Sequence, residues 1–276
     1  MDGQSHLLPE AAAHYRGADE GGRLERPWSQ LERVRTQELV RRFLPAPPAT
    51  VADVGGATGV YAFWLAGLGY RVHLIDALAE HIETARRASR TGPPLASIEL
   101  GDARRLDLPD GSVDAVLLLG PLYHLTEHHE RIAALAEAWR VIRPGGVLLA
   151  AAITRFASLL DGLTFGRLVD PVFRAIVAED LRSGQHRNPT GHPDYFTTAF
   201  FHHPDELRDE VNAAGFAFGG LFAVEGVRQV IPDFAAWWEQ PERREQLLSA
   251  IRAVEAEPSL LGVSPHLLAI GRKGRA

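Results

Sequence analysis

Short apolar runs alternate along this chain with segments of helical periodicity, and this alternation constrains the fold more than any other feature. The runs are rich in Val, Ile and Leu and do not alternate with polar residues, which is typical of strands buried on both faces. Strands that alternate with helices predict a doubly wound α/β fold, in which helices cover both faces of a mostly parallel sheet. The first five predicted strands are Thr50–Val54, Arg71–Ile75, Ser97–Leu100, Val113–Leu119 and Val147–Ile153.

Helices are predicted before and between these strands. Ser29 and Glu32 have the spacing of a capping box, which predicts a helix from there to about Phe43. The clearest helix between two strands carries apolar residues at positions 132, 135, 136, 139 and 142, and the Pro-Gly-Gly at 144–146 stops it. We therefore expect a helical segment over residues 1–48, followed by an α/β domain over residues 49–272.

The alternation lapses between residues 154 and 203, directly after the fifth strand. A structureless loop of that length is uncommon inside a compact domain, so we expect a helical insertion, with one helix from Pro171 to about Gly184. The pattern then resumes and brings the number of strands to seven. Its elements are a helix from Pro204 to Gly215, a strand at 216–224, a helical stretch from Phe234 to about Ala256 and a strand at 266–270.

Composition excludes several function classes. The chain has 276 residues, a net charge of −6 and no basic stripe, which argues against a nucleic-acid partner. It has no cysteine, so thiolate metal sites and a cysteine nucleophile are excluded. Its two His-His pairs, at 128–129 and 202–203, lack the i, i+4 spacing of metal ligands, and we predict no metal site. It shows no signal-like start and no membrane-spanning run, so we expect a cytoplasmic protein that does not bind membranes.

A glycine-rich loop, Asp53-Val54-Gly55-Gly56-Ala57-Thr58-Gly59, connects the first strand to the helix that follows. Glycines let a backbone approach a ligand, and the N–H groups at a helix start can face it. Asp76 ends the second strand, where a carboxylate can accept both ribose hydroxyls of an adenosine. Ala57 and Val60 occupy the second and third glycine positions of the dinucleotide fingerprint, which disfavours NAD.

The loop resembles motif I of the class I S-adenosylmethionine-dependent methyltransferases, with Ala57 in place of a central glycine. The resemblance continues through Gly101-Asp102-Ala103, through the fourth strand, and through the Arg-Pro-Gly-Gly at 143–146. It covers residues 49–272 and is closest to the small-molecule branch of the family. It implies a Rossmann-like fold, S-adenosylmethionine as cofactor and S-adenosylhomocysteine as product.

The resemblance also implies which residues bind the cofactor. Tyr15, Glu20, Arg23 and Leu24 resemble the tyrosine-and-arginine entry of many small-molecule members, in which the leading helix folds over the cofactor as a lid. A surface helix with one buried tyrosine is the alternative. The implied cofactor-binding residues are Tyr15, Arg23, Asp53, Gly55, Gly56, Ala57, Gly59, Asp76, Ala77, Asp102, Ala103, Leu119 and Gly120.

Methyl transfer from a sulfonium requires no side-chain nucleophile, and a general base only where the acceptor atom must lose a proton. The segment at 120–125 leaves the carboxyl end of the fourth strand, the edge at which parallel sheets bind ligands. His124 is therefore the first candidate for a base or a substrate contact, and Tyr123 the second. In the alternative interpretation, His124 satisfies a helix start or packs against the cofactor.

The insertion leaves the same edge of the sheet, and we expect it to cover the acceptor. Its candidate contacts are Phe156, His186, Arg187, Tyr195 and Phe196, although these residues could instead form the core of the insertion. The expected acceptor is a small molecule that is methylated on oxygen, nitrogen or carbon. RNA or protein methylation, and a cofactor-binding protein that does not methylate, are the alternatives. Trp237-Trp238 could mark a homodimer face.

Overall fold

A computed structural model describes residues 8–17 and 27–275. Its strands are β1 (Thr50–Val54), β2 (Arg71–Asp76), β3 (Ser97–Leu100), β4 (Val113–Leu118), β5 (Ile142–Ile153), β6 (Gln185–His186), β7 (Ala199–Phe200), β8 (Ala217–Ala223) and β9 (His266–Arg272). Seven of these strands form one central sheet in the order β3-β2-β1-β4-β5-β9-β8, and β6 and β7 form a separate pair. The seven run parallel except β9, which is antiparallel to both of its neighbours. The predicted doubly wound, mostly parallel seven-stranded fold is confirmed.

Helices cover both faces of the sheet. The helices are α1 (Pro9–Gly17), α2 (Pro27–Phe43), α3 (Val60–Gly67), α4 (Ala79–Ala88), α5 (Pro121–His124), α6 (His128–Val141), α7 (Ala157–Thr164), α8 (Pro171–Ser183), α9 (Pro204–Ala213), α10 (Phe234–Glu239) and α11 (Pro241–Val254). One buried cluster joins the sheet to α6 and α9, and another joins it to α2, α3 and α4. Within the described ranges, no helix has both the length and the apolar character that crossing a membrane would take.

Three predicted boundaries were wrong. Helix α2 begins at Pro27, two residues before the predicted capping box, because the fixed φ of proline suits the first turn of a helix. The predicted helix at 234–256 is two helices, since Pro241 starts a new one directly after Gln240. Strand β5 begins at Ile142, where α6 has just ended, and includes the Pro-Gly-Gly turn.

The Trp237-Trp238 pair belongs to the packing of α10 on α2. Trp238 is buried in a cluster with Leu31 and Phe234, and its indole N–H donates a hydrogen bond to Oε1 of Gln30 at 2.7 Å. Trp237 is partly buried against the same cluster. This packing accounts for the pair without a dimer partner.

The insertion at 154–203 contains α8, where a helix was predicted, together with α7 and the antiparallel pair β6 and β7, which were not predicted. Helix α8 begins at Pro171 with Asp170 as its N-cap, and Gly184 at φ +73° ends it. The helix packs Phe173, Ile176 and Val177 around Tyr195 in a core of its own.

Candidate functional site

A cleft follows the edge of the sheet at which the parallel strands end. The loops after β1, β2, β3 and β4 form one part of its wall, and β5, β9 and helix α2 form another. The order of strands reverses between β1 and β4, and such a reversal opens a crevice in which doubly wound proteins bind ligands. The cleft therefore lies where the fold itself favours a site.

The loop after β1 brings bare backbone to this cleft. Gly55 has φ +69°, and a side chain there would meet the ring of Pro121, since a Cβ atom would lie 2.6 Å from its Cγ. A Cβ atom on Gly56 would lie 2.5 Å from Leu74 and 2.6 Å from Oδ2 of Asp53. Helix α3 then starts at Val60 with Gly59 as its N-cap and no side-chain capping bond. Glycine backbone and the first turn of α3 thus form this part of the cleft wall.

Ala57 adopts a left-handed conformation, with φ +50°, at the position where the resembled motif normally has glycine. Its N–H donates a hydrogen bond of 2.8 Å to Oδ2 of Asp76. Left-handed backbone costs a residue with a Cβ atom about 1 kcal/mol. The alanine therefore preserves the shape of the loop at a small cost in stability.

Asp76 lies at the end of β2, where its carboxylate lines the cleft. Oδ1 accepts hydrogen bonds from the N–H of Leu78 at 2.9 Å and from Nδ1 of His81 at 3.0 Å. Because each carboxylate oxygen can accept two hydrogen bonds, Oδ2 can accept a ligand hydroxyl beside the N–H of Ala57. This arrangement fits the ribose contact that the sequence predicts.

Asp53 is buried at the base of the glycine loop, where neither carboxylate oxygen has a well-formed hydrogen bond among the described residues and the backbone N–H of Ala62 partly offsets its charge. Burial and the negative charge of Asp76 raise the pKa of Asp53 to about 7. An ionised carboxylate in such a place needs a positive partner. S-adenosylmethionine carries a sulfonium and an ammonium group, so this residue fits the cofactor that the resemblance implies.

Eleven of the thirteen predicted cofactor residues line the cleft, namely Tyr15, Asp53, Gly55, Gly56, Ala57, Asp76, Ala77, Asp102, Ala103, Leu119 and Gly120. Gly59 caps α3 beside it. Arg23 lies outside the described residues, as do Glu20 and Leu24. The carboxylate of Asp102 pairs with Arg104 at 2.6 Å, and Arg104 in turn pairs with Glu130.

His124 and Tyr123 also line the cleft, on the short helix α5. Nε2 of His124 and the hydroxyl of Tyr15 form a hydrogen bond of 2.8 Å, and the two rings meet edge to face. The hydroxyl of Tyr123 donates to the carbonyl of Leu119 at 3.3 Å. His124 is therefore tied to helix α1, which brings Tyr15 to the cleft.

The predicted acceptor contacts on the insertion are engaged elsewhere. His186 bonds Oδ2 of Asp180 at 2.9 Å and the carbonyl of Tyr195 at 2.7 Å, and the hydroxyl of Tyr195 donates to Asp170 at 2.6 Å. Arg187 bonds the Gln185 side chain, and the ring of Phe156 packs beside that of His203. A subdomain this small uses its polar groups to satisfy one another, so these four side chains hold the insertion together.

Phe196 is the member of the predicted set that lies near the cleft. Its ring centroid is 6.3 Å from that of His124. It also belongs to an apolar cluster that packs the insertion against Tyr123. The insertion thus packs against Tyr123 of α5. Its role as a cover over the acceptor stays a prediction.

Six polar residues of the cleft wall are absent from the predicted site: Glu32, Thr36, Thr58, Tyr61, His81 and His266. Oε1 of the buried Glu225 bonds Nδ1 of His266 at 2.5 Å across 41 residues of chain. Potential ligand atoms of Glu32, Glu225 and His266 lie within 4.8 Å of one another, so these groups could hold a metal ion where none was predicted. No local motif links the three, which explains why sequence reasoning missed them.

Known proteins resemble this chain over the same elements. A family model described as a methyltransferase domain matches residues 51–146. Demethylmenaquinone methyltransferase from Deinococcus radiodurans is 31% identical over 171 residues, covering 61% of this chain and 68% of the relative. A ubiquinone/menaquinone biosynthesis C-methyltransferase from Caulobacter vibrioides is 29% identical over 204 residues, covering 67% and 75%. A solved S-adenosylmethionine-dependent methyltransferase from Methanosarcina mazei shares the fold, with a TM-score of 0.57, 18% identity, and 86% and 98% coverage.

Proposed function

Because this chain belongs to the class I S-adenosylmethionine-dependent methyltransferases, we propose that it transfers the cofactor's methyl group to a small aromatic molecule. The observation that carries the proposal is the extent of the cleft. It continues from the acids at β2 and β3 past the glycine loop to β5 and β9, beyond the residues that we propose for the adenosine. The far part would take the methionine portion of the cofactor and, beside it, the acceptor.

Different residues of the cleft would bind different parts of the cofactor. When bound, S-adenosylmethionine supplies a methyl group made electrophilic by the sulfonium. Asp76 would accept a ribose hydroxyl, Asp102 and Ala103 would meet the adenine, and Asp53 would offset the positive charge. Because Gly55 and Gly56 have no side chains, the backbone of the loop would lie close to the cofactor. The protein chiefly positions the acceptor and keeps water out.

The acceptor end combines apolar and polar side chains. Ala151 of β5, Leu268 of β9 and Val224 line it, and Glu32, Thr36 and His266 supply a few polar groups. An apolar wall with few polar anchors suits a small, largely apolar ring that carries one or two hydroxyls. The net charge of −6 opposes an RNA acceptor.

The relatives support the same class of acceptor. The Deinococcus radiodurans protein is named for demethylmenaquinone, and the Caulobacter vibrioides protein for ubiquinone and menaquinone biosynthesis. Both names describe quinones. A hydroxylated aromatic ring, such as a quinol, is therefore the acceptor that we propose.

Calorimetry with S-adenosylhomocysteine and a product assay together test this proposal. We expect binding in the micromolar range, and release of S-adenosylhomocysteine when S-adenosylmethionine and dithionite-reduced 1,4-naphthoquinone are both present. Bulk tRNA serves as the competing acceptor. Absence of binding, or product formation with tRNA alone, would contradict the proposal.

A further inference from the structure

We infer that the hydroxyl of Thr36 is the polar anchor that selects an acceptor with an oxygen on its ring. This inference rests on the proposed function and deepens it, because it assigns to one side chain the choice between oxygen-bearing and plain aromatic rings. Thr36 belongs to α2 and lines the acceptor end of the cleft.

The Thr36 hydroxyl makes no hydrogen bond to any residue that the structure describes. A threonine inside a helix commonly donates to the carbonyl four residues before it, as Thr84 of α4 does to Glu80 at 2.9 Å. Thr36 lies in the middle of α2 and forms no such bond. Both the donor and the acceptor capacity of its hydroxyl are therefore available to a ligand.

Burial makes this hydroxyl unusual. Thr36 is 7% exposed, and polar groups buried to that extent nearly always have a hydrogen-bond partner. Its oxygen retains solvent contact, unlike the hydroxyl of Thr154, which is fully buried and also lacks a partner among the described residues. Because Thr36 lines the cleft, the opening beside its oxygen is the site itself.

Helix α2 is fixed in the position that directs Thr36 to the cleft. The neighbouring Arg35 is fully buried, and its Nε donates to the carbonyl of Val224 at 3.3 Å. The two terminal nitrogens of its guanidinium pair with Glu38 and Glu255. Since Val224 itself lines the cleft, these bonds set the position of α2 against the wall of the site. The hydroxyl is thus positioned before a ligand arrives.

Apolar side chains flank the anchor. Leu39 and Val40, which follow Thr36 by three and four residues on α2, pack in one buried cluster with Val224 and Leu268. Residues three and four apart share a face of a helix, so Thr36 lies on the same side of α2. Val224 and Leu268 also line the cleft. One hydroxyl beside such a wall suits an aromatic ring that carries an oxygen.

The carboxylate in the methionine portion of the cofactor is the competing ligand. A carboxylate is best satisfied by a cation or by several N–H donors. The adjacent Arg35 already pairs with two carboxylates, and the residue one helical turn before Thr36 is Glu32, another acid. A neutral oxygen is therefore the better partner, because the hydroxyl can donate to a carbonyl or accept from a hydroxyl.

The hydroxyl then discriminates between acceptors. A ring without oxygen would displace water from Thr36 and leave the hydroxyl unpaired, which lowers affinity. A ring with an oxygen at this position replaces the hydrogen bond to water. The far part of the cleft therefore admits plain aromatic rings poorly, although its walls are apolar.

Binding to the full chain saturated with S-adenosylhomocysteine tests the inference without turnover. Anaerobic equilibrium dialysis compares 1,4-dihydroxynaphthalene, kept reduced with dithionite, with naphthalene, which has no oxygen. We expect Thr36→Val to weaken binding of the diol by about tenfold, corresponding to about 1.4 kcal/mol, and that of naphthalene by less than about twofold. Thr36→Ser keeps the hydroxyl and should bind the diol within about threefold of the wild type.

Thr91→Val is the matched control, because it removes an exposed hydroxyl that lies outside the cleft. It should leave binding of both probes unchanged. Equal losses for the two probes in Thr36→Val, or no loss, would overturn the inference. A fall in S-adenosylhomocysteine affinity of more than about threefold in that variant would assign the hydroxyl to the cofactor and would also overturn it.

The failure of the proposed function has a different signature. A wild type that binds S-adenosylhomocysteine but not the diol would refute the proposed acceptor, and this inference with it. A wild type that does not bind S-adenosylhomocysteine would refute the proposed function as a whole.

Urea denaturation of the ligand-free protein supplies a check that needs no acceptor. Since the Thr36 hydroxyl has no partner among the described residues, Thr36→Val should be at least as stable as the wild type. A clear loss of stability in this variant would show that the hydroxyl bonds within the protein, and that result would contradict the inference.

Discussion

The two ends of the cleft are built in different ways. At the cofactor end, each proposed contact except Tyr15 lies within a few residues of the end of β1, β2, β3 or β4, and backbone conformation determines much of the shape. At the acceptor end, Glu32, Thr36 and His266 come from distant parts of the chain, and side chains determine the shape.

This difference teaches which part of the site is tolerant of change. A backbone cradle admits few substitutions, because glycine conformation and close approach leave no space for a side chain. Side chains at the acceptor end can be exchanged one by one while the cradle stays intact. The following changes test this contrast, from the largest expected effect to the smallest.

Gly56→Val should abolish most cofactor binding. A side chain there would overlap Leu74 and Asp53, so the loop must move away from the cleft. We expect affinity for S-adenosylhomocysteine, measured by calorimetry, to fall by about 100-fold or more, corresponding to about 3 kcal/mol. Gly274→Val, at a position with no atom within 4 Å of the added Cβ, is the control. Wild-type affinity in Gly56→Val would contradict the proposal that the backbone of the glycine loop shapes the cofactor site.

Asp76→Ala should have the next largest effect. It removes the acceptor for the ribose hydroxyls and releases the N–H of Ala57. Hydrogen bonds to a charged group contribute about 1.5–3 kcal/mol, so we expect affinity to fall by roughly 10- to 100-fold. Asp209→Ala, an exposed acid on α9, should bind S-adenosylhomocysteine as the wild type does. An unchanged affinity in Asp76→Ala would refute the ribose contact.

Cofactor affinity should depend on pH through Asp53. Its pKa is raised from 3.8 to about 7 in the ligand-free protein. The native state therefore holds an extra proton between these values, and the stability of the ligand-free protein should fall as pH rises from about 4 to about 7.

A cationic ligand favours the ionised form of Asp53, so its affinity should rise with pH up to about 7, by at most about tenfold per pH unit. Calorimetry of S-adenosylmethionine at several pH values measures this slope. Asp53→Asn should flatten it. An equally steep slope in that variant would assign the effect to another group.

Ala57→Gly should have the smallest effect of the series, and it should increase the stability of the protein. Glycine relieves the left-handed strain at φ +50° but adds freedom to the unfolded chain, so we expect the free energy of unfolding to rise by about 0.5 kcal/mol. Urea denaturation measures the change, with Ala13→Gly in the exposed part of α1 as a control that should destabilise. A loss of stability in Ala57→Gly would show that the loop is not strained.

Local signals predicted the sheet and the cofactor end of the cleft. Most strands carry runs of Val, Ile, Leu and Ala, and Asp53, Asp76 and Asp102 lie at or just after strand ends that a linear pattern reveals. Pairing between segments that are distant in the sequence could not be predicted from local patterns. Glu225 and His266 meet because β8 and β9 are antiparallel neighbours, and β6 pairs with β7 across the 3₁₀ turn at 193–195. Polar residues of the insertion looked like ligand contacts because their partners within the insertion could not be foreseen.

The position of β9 between β5 and β8 also sets an order in time during synthesis. The cradle of the glycine loop needs only β1 to β4 and their helices, which leave the ribosome early. His266 joins the cleft only when β9 has emerged and has slotted between two strands that are already present. A growing chain therefore completes the strand ends that carry the proposed cofactor contacts well before β9, the last strand of the sheet, completes the cleft.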